Sequence, residues 1–189
     1  MIAYGIDLSA AKVAVAQVNG GFRVRHVEAG PVKGEDHEAR IARAAQLAGT
    51  VKELLAGVDA EDVIAIESPS VAGRGQGHAT GEVFGLVLRV VISEAAGQWF
   101  LVNPMHLKMF ATGKGRAEKD EIRLAVFKRW GFEAETNDEI DAFVLAQMAR
   151  CTVEPDCYTA QQREVVGRCF LTGGKKPRRK NLQFDRATL

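Results

Sequence analysis

No apolar run in this 189-residue chain approaches the roughly 20 residues a helix needs to cross a bilayer, so no membrane partner is expected. The opening MIAYGID shows no basic-then-apolar secretory pattern either, since Asp7 interrupts it, so no leader is expected. Cysteine is scarce. Cys151, Cys157 and Cys169 are odd in number and form no C-x-x-C pair, which argues for reduced thiols over a disulfide framework and leaves zinc a distant second. Low complexity is confined to GGKKPRRK near the end, and there is no internal repeat. These absences point to a cytoplasmic globular protein, and a compact chain with a basic end is compatible with a bacterial setting or a viral one within a host cell.

What is present is a hydrophobic content of 47%, ample for one core in a chain of single-domain length. The net charge of +1 hides an asymmetry. Residues 173–189 carry Lys175, Lys176, Arg178, Arg179, Lys180 and Arg186 against Asp185, a net of +5, which leaves −4 on residues 1–172. A mildly acidic body with a basic end suits a polyanionic partner, and a solvated, unstructured tail explains the charge equally well.

The chain opens with three strand patterns, IAYGID, KVAVAQV and FRVRHVEA, the last two joined by the turn signal Asn19-Gly20-Gly21. A helical periodicity follows through Ile41, Ala45, Ala48, Val51 and Leu55, with Asp36 placed to cap its start and Gly57 its end. DVIAIES reads as a buried strand. The glycine-rich VAGRGQGHATG then leads to a helix over about 82–96, and QWFLVN is a fifth strand. Pro104 starts a short helix, helices follow over about 117–130 and 138–150, and residues 156–170 add one more. A meander of three strands followed by alternating helix and strand predicts an α/β fold, a mixed five-stranded sheet flanked by helices.

Four acids stand out. Asp7 and Glu67 close the apolar runs YGID and VIAIE, and a strand interior is a costly place for a carboxylate, so each is expected at a strand exit facing solvent or a ligand. In ETNDEIDAFVLAQMAR, Asp138 and Asp141 lie three apart on one helical face, while Glu139 points elsewhere. If the two strands are neighbours and this helix packs beside them, four carboxylates converge. Such a group needs a counter-charge, and hard divalent cations such as Mg²⁺ supply it. Taken singly, each acid has a plainer reading: Asp7 in a turn, Asp138 as a helix cap, Asp141 on an exposed face.

The segments YGIDLS, AIES, GKGRAEKDEI and NDEIDAFVLA occur in the order and at the spacing of RuvC-type Holliday junction resolvases, ribonuclease H-like nucleases, and the chain resembles that family over residues 1–150. The first two segments are short and unspecific; the last two carry the resemblance. It implies a ribonuclease H-like fold over 1–150, with 151–189 as a C-terminal extension holding a helix and the basic tail. It further implies Asp7, Glu67, Asp138 and Asp141 as ligands of Mg²⁺ (with Mn²⁺ as a substitute) and as catalytic residues. Lys119 would be the basic residue near the scissile phosphate, and Lys114 a DNA contact. The expected activity is paired, metal-dependent cleavage of four-way and other branched DNA by a homodimer, in recombination and repair. A two-fold junction calls for a two-fold enzyme.

The sequence departs from the family's pattern in three places. Leu8 and Ser9 replace a proline and glycine after the first acid, Ser70 stands where the family has an aromatic three residues beyond the glutamate, and residues 151–189 run past the family core. Outside the resemblance, Arg74 in the GRGQG loop is a candidate phosphate contact, as are Lys175, Lys176, Arg178, Arg179 and Lys180 in the tail; each has a plain solvated reading beside it. That loop matches neither the Walker nor the dinucleotide pattern. His78 and His106 lack spaced partners, and Trp99 and Trp130 fit a core better than a base-stacking platform. Two other readings stay open: a phosphotransferase of the sugar-kinase and actin type, whose first strand also reads G-I-D, and a non-catalytic module that binds branched DNA.

Overall fold

The computed structural model describes residues 1–30, 36–69, 77–94 and 98–171. Five strands form one sheet: β1 (Ala3–Leu8), β2 (Lys12–Val18), β3 (Phe22–Glu28), β4 (Val63–Glu67) and β5 (Trp99–Val102), in the order β3-β2-β1-β4-β5. The first three run antiparallel as hairpins, whereas β4 and β5 lie parallel to β1 and to each other. Parallel pairing needs crossovers, and helices supply them. The architecture is the α/β sheet that the strand and helix patterns predict.

Six helices complete it: α1 (His37–Leu54), α2 (Gly77–Glu94), α3 (Pro104–Thr112), α4 (Lys119–Trp130), α5 (Asn137–Cys151) and α6 (Ala160–Leu171), with a single 3-10 turn at Pro155–Cys157. Asp36 caps α1 by accepting from the Ala39 amide, and the helix ends at Leu55 with Gly57 left-handed just beyond. Asn103 caps α3, with Pro104 in its first turn. Helix α2 begins five residues before the expected Glu82. Glycines at 77, 81 and 85 weaken the helical signal there, yet Val83, Val87 and Val91 bury against the sheet and packing overrides propensity.

Two apolar layers sandwich the sheet. On one face Tyr4, Ile6, Val13, Val15, Ile64 and Ile66 pack against α1 and α2. On the other, Ala3, Ala14, Ala16, Val63 and Ala65 meet α5, whose buried residues include Ala142, Phe143, Leu145, Ala146 and Ala149. Gly5 sits in the middle of this second face. A methyl group there would come within 2.0 Å of the Ala142 carbonyl oxygen and 2.3 Å of the Ala146 amide nitrogen, so backbone lies on backbone. Residues 151–171 belong to the same core. Phe100 and Phe170 pack at 4.8 Å between ring centroids, Tyr158 donates to the Gln147 side-chain oxygen at 2.6 Å, and Gln162 donates to the Phe110 carbonyl. Cys151, Cys157 and Cys169 are all free thiols, the first and last buried. Among the described residues no helix is long and apolar enough to cross a membrane.

Candidate metal centre

Strand register decides the site. Ile6 of β1 pairs with Ile66 of β4, so Asp7 and Glu67, one residue further along each parallel strand, leave the sheet side by side at its C-terminal edge. The third acid comes from α5. Thr136 caps that helix by accepting from the Glu139 amide, and Glu139 accepts in return from the Thr136 amide. This box occupies Glu139 and replaces the capping role that Asp138 could have had. It leaves Asp138 and Asp141 free for the inner face. The close approach at Gly5 lays the start of α5 directly over the ends of β1 and β4.

Asp7, Glu67 and Asp141 thus converge, each offering a carboxylate oxygen, with the three atoms within 4.8 Å of one another. The electrostatics record the crowding. Asp7 is held well above the usual carboxylate range, first by burial, then by the charges of Glu67 and Asp141 and by its hydrogen bond to Glu67. Burial and Asp141 push Glu67 up to about 7, against the opposing pull of its bond to Asp7 and of the Lys108 ammonium. Asp141 rises to about 6 through burial, moderated by Lys119 and Lys108 and raised further by Asp138. Asp7 and Glu67, hydrogen-bonded to each other, both keep their protons to higher pH than ordinary carboxyls. Groups that keep protons near neutral pH through burial and mutual repulsion, which Lys108 and Lys119 offset only in part, are a ready-made seat for a cation, and the all-carboxylate donor set suits a hard divalent one.

Asp138 stands one turn earlier on α5 and outside this group of three; its Oδ2 faces His26 Nε2 of β3 at 3.6 Å. Lys119, the first residue of α4, is exposed and close enough to hold the Asp141 carboxyl down. Lys114 is already paired, its Nζ 2.7 Å from Glu121 Oε1, and so contributes to the start of α4. Arg74, Ser70 and the tail residues Lys175, Lys176, Arg178, Arg179 and Lys180 lie outside the described residues. His78 is exposed, and His106 is half-buried with its Nδ1 3.7 Å from Cys169 Sγ. Trp130 stacks on Phe110 and meets Phe143 edge-on, and Trp99 packs against the opposite layer, so both tryptophans serve the core.

Sequence reasoning missed two residues, Lys108 and His26. Lys108 of α3 acts on both Glu67 and Asp141 and lines an open cleft of about 520 Å³ with Pro69, Asn103, Met105 and Arg116. Within its helix it reads as an ordinary solvated lysine, and nothing in the local pattern marks it.

No protein-family model and no curated protein matches the chain by sequence. Comparison with solved structures shows that the chain has the α/β fold of RuvC. One neighbour is a Thermus thermophilus RuvC structure, at a TM-score of 0.57 and 21% identity, covering 77% of this chain and 90% of that one. Another is T. thermophilus RuvC in complex with Holliday junction substrate, at a TM-score of 0.63 and 21% identity, covering 84% of this chain and 98% of that one. The overlap spans nearly the whole of the RuvC chains.

Proposed function

We propose that this protein is a structure-selective endodeoxyribonuclease that resolves Holliday junctions, and other branched DNA, by paired phosphodiester hydrolysis in recombination and repair. The observation that carries the reading is the meeting of Asp7, Glu67 and Asp141, from three separate segments, at the open edge of a RuvC-like sheet. The nuclease unit would comprise residues 1–150, with 151–189 as an extension that in its described part completes the core.

Asp7, Glu67 and Asp141, with Asp138 beside them, would hold Mg²⁺, or Mn²⁺ in its place. Bound there, divalent ions supply a coordinated water of lowered pKa and neutralise charge on the phosphodiester. The chain's own residues do the rest. Carboxylates fixed on two strand ends and one helix need no rearrangement to receive cations, so the site is preorganised. Lys119 and Lys108 approach from α4 and α3, where their ammonium groups would meet the non-bridging oxygens of the scissile phosphate. The cleft that Lys108 and Arg116 share with Glu118 would offer two cations to the adjoining strand, and Arg74, Lys114 and the tail residues Lys175, Lys176, Arg178, Arg179 and Lys180 would add salt-sensitive contacts.

A junction has two scissile strands related by a two-fold axis, so a homodimer follows. Helix α2 offers a surface for it: Gly81, Gly85 and Ile92 are exposed, and the space above both glycines is open. The phosphotransferase reading finds no support among the described residues, and a pure binder of polyanions has no use for a cluster of carboxylates. The deciding experiment is cleavage of a panel of branched DNAs with and without Mg²⁺, with the nick positions mapped. Symmetric paired nicks in a four-way junction are expected, abolished by chelation. Intact junctions in every divalent ion would overturn the reading.

A further inference from the structure

The hairpin registers place one more residue at this edge. Asp7 of β1 lies opposite Ala14 of β2, and Ala14 lies opposite His26 of β3. Directly paired residues project from the same face of a sheet, so His26, Ala14, Asp7 and then Glu67 form one row beneath the first turns of α5. Ala14 is the smallest side chain in that row and leaves room between the ends. Into that end of the row comes Asp138, its Oδ2 3.6 Å from His26 Nε2. His26 is 14% exposed in its side chain, and its Nε2 is buried with no hydrogen bond among the described residues.

A buried imidazole nitrogen without a partner carries a free-energy cost that a shift of a few tenths of an ångström here would remove. Among the described residues, the acid paired with it is Asp138, the candidate ligand that stands apart from Asp7, Glu67 and Asp141. A histidine that donates to a ligating carboxylate fixes which oxygen faces the ion and keeps the ligand from swinging to solvent. Asp138, half-buried with its side chain about one-third exposed, gains from such a restraint.

Resting on the nuclease reading above, we infer that His26 is a positioning residue of the metal centre: its Nε2–H donates to Asp138 and orients that carboxylate toward the ion held by the acids. It touches neither DNA nor the reacting atoms. The geometry assigns β3, a strand that contributes no acid, a part in the site.

The test compares His26→Ala and His26→Gln with the unaltered protein and with Asp7→Asn. The reading-out measurements are Mg²⁺ titration by calorimetry in the absence of DNA, and the Mg²⁺ concentration for half-maximal junction cleavage. His26→Ala should weaken Mg²⁺ binding on the order of 10- to 100-fold and raise the half-maximal concentration to match, with kcat at saturating Mg²⁺ changed much less. His26→Gln, which returns an amide N–H near the same place, should recover most of the affinity. Melting temperatures in chelator show that both variants are folded. Wild-type Mg²⁺ affinity in His26→Ala overturns the assignment, as does loss of a whole bound ion that glutamine fails to restore, since that marks a direct ligand. If the unaltered protein binds no Mg²⁺, or Asp7→Asn binds it equally well, the nuclease reading itself has failed.

Discussion

The two faces of the sheet are built on opposite plans. Towards α1 and α2 the strands present tyrosine, isoleucine and valine, and helix meets sheet through interlocking side chains. Towards α5 the middle of the sheet presents Ala3, Gly5, Ala14, Ala16 and Ala65, with larger side chains such as Val18, Val63 and Phe100 around them, and at Gly5 the helix backbone rests almost on the strand. Large side chains fill a gap with apolar volume; small ones close the gap and fix positions to fractions of an ångström. The face with the smaller side chains is the one whose strand ends carry Asp7, Glu67 and His26. Close contact makes the site, and bulk on the other side stabilises it.

The sharpest way to break this contrast is at the acids. Asp7→Asn or Asp141→Asn should lower single-turnover junction cleavage on the order of a thousandfold or more, about 4 kcal/mol in the barrier. Binding of the junction in chelator should survive, because removing a negative charge does not weaken attraction to phosphate. Cleavage within a few-fold of wild type would place the chemistry elsewhere.

Next comes the packing itself. Gly5→Val should cost more than about 3 kcal/mol in urea unfolding, because the added atoms meet helix backbone rather than a movable side chain. Ile66→Ala on the opposite face should cost about 2–4 kcal/mol by leaving a cavity. The two should differ more in function than in stability: folded Ile66→Ala keeps its metal affinity, whereas any folded Gly5→Val loses it. Equal metal affinities would erase the distinction between the faces.

The pH dependence follows from the raised carboxyls. In the native state Glu67 titrates at about 7 and Asp141 at about 6, both above their ordinary values. The folded protein therefore holds protons that the unfolded chain has released, and stability falls as pH rises from about 4 through 7. Without metal the protein should be on the order of 2 kcal/mol more stable at pH 5 than at pH 8, after allowance for solvent at the site. Mg²⁺ should reverse the order by raising the melting temperature far more at pH 8. A metal-induced shift equal at both values would contradict the raised carboxyls. The smallest effect expected is in the box that starts α5: Thr136→Ala should cost about 1 kcal/mol with little change in cleavage.

Much of this was legible in the residues. The hairpin signal at Asn19-Gly20-Gly21, the apolar runs ending in Asp7 and Glu67, and the three-residue spacing of Asp138 and Asp141 all have local physical causes, and the sheet and helices follow them. What a linear pattern does not contain is which strands are neighbours. The pairing of β1 with β4 that brings Asp7 beside Glu67 depends on helix packing across dozens of residues, and so does the arrival of Lys108 from α3. Helix α2 was misjudged at its start because local glycine propensity and long-range valine burial disagree there. His26 was within reach: once the two hairpin turns are set, the register counts directly from Asp7 through Ala14 to His26.

The hydrogen bond from Tyr158 to Gln147 has a practical side for anyone trimming the gene. Gln147 lies on α5, six residues past Asp141, and its carboxamide is buried with the tyrosine hydroxyl as its partner. Ending the polypeptide at residue 150 would take away that amide's partner, bare Phe100 and Phe110 to water, and loosen the rod on which half the acids ride. A shortened version intended as a minimal catalyst has to keep everything through Phe170, and the useful place to cut lies beyond α6.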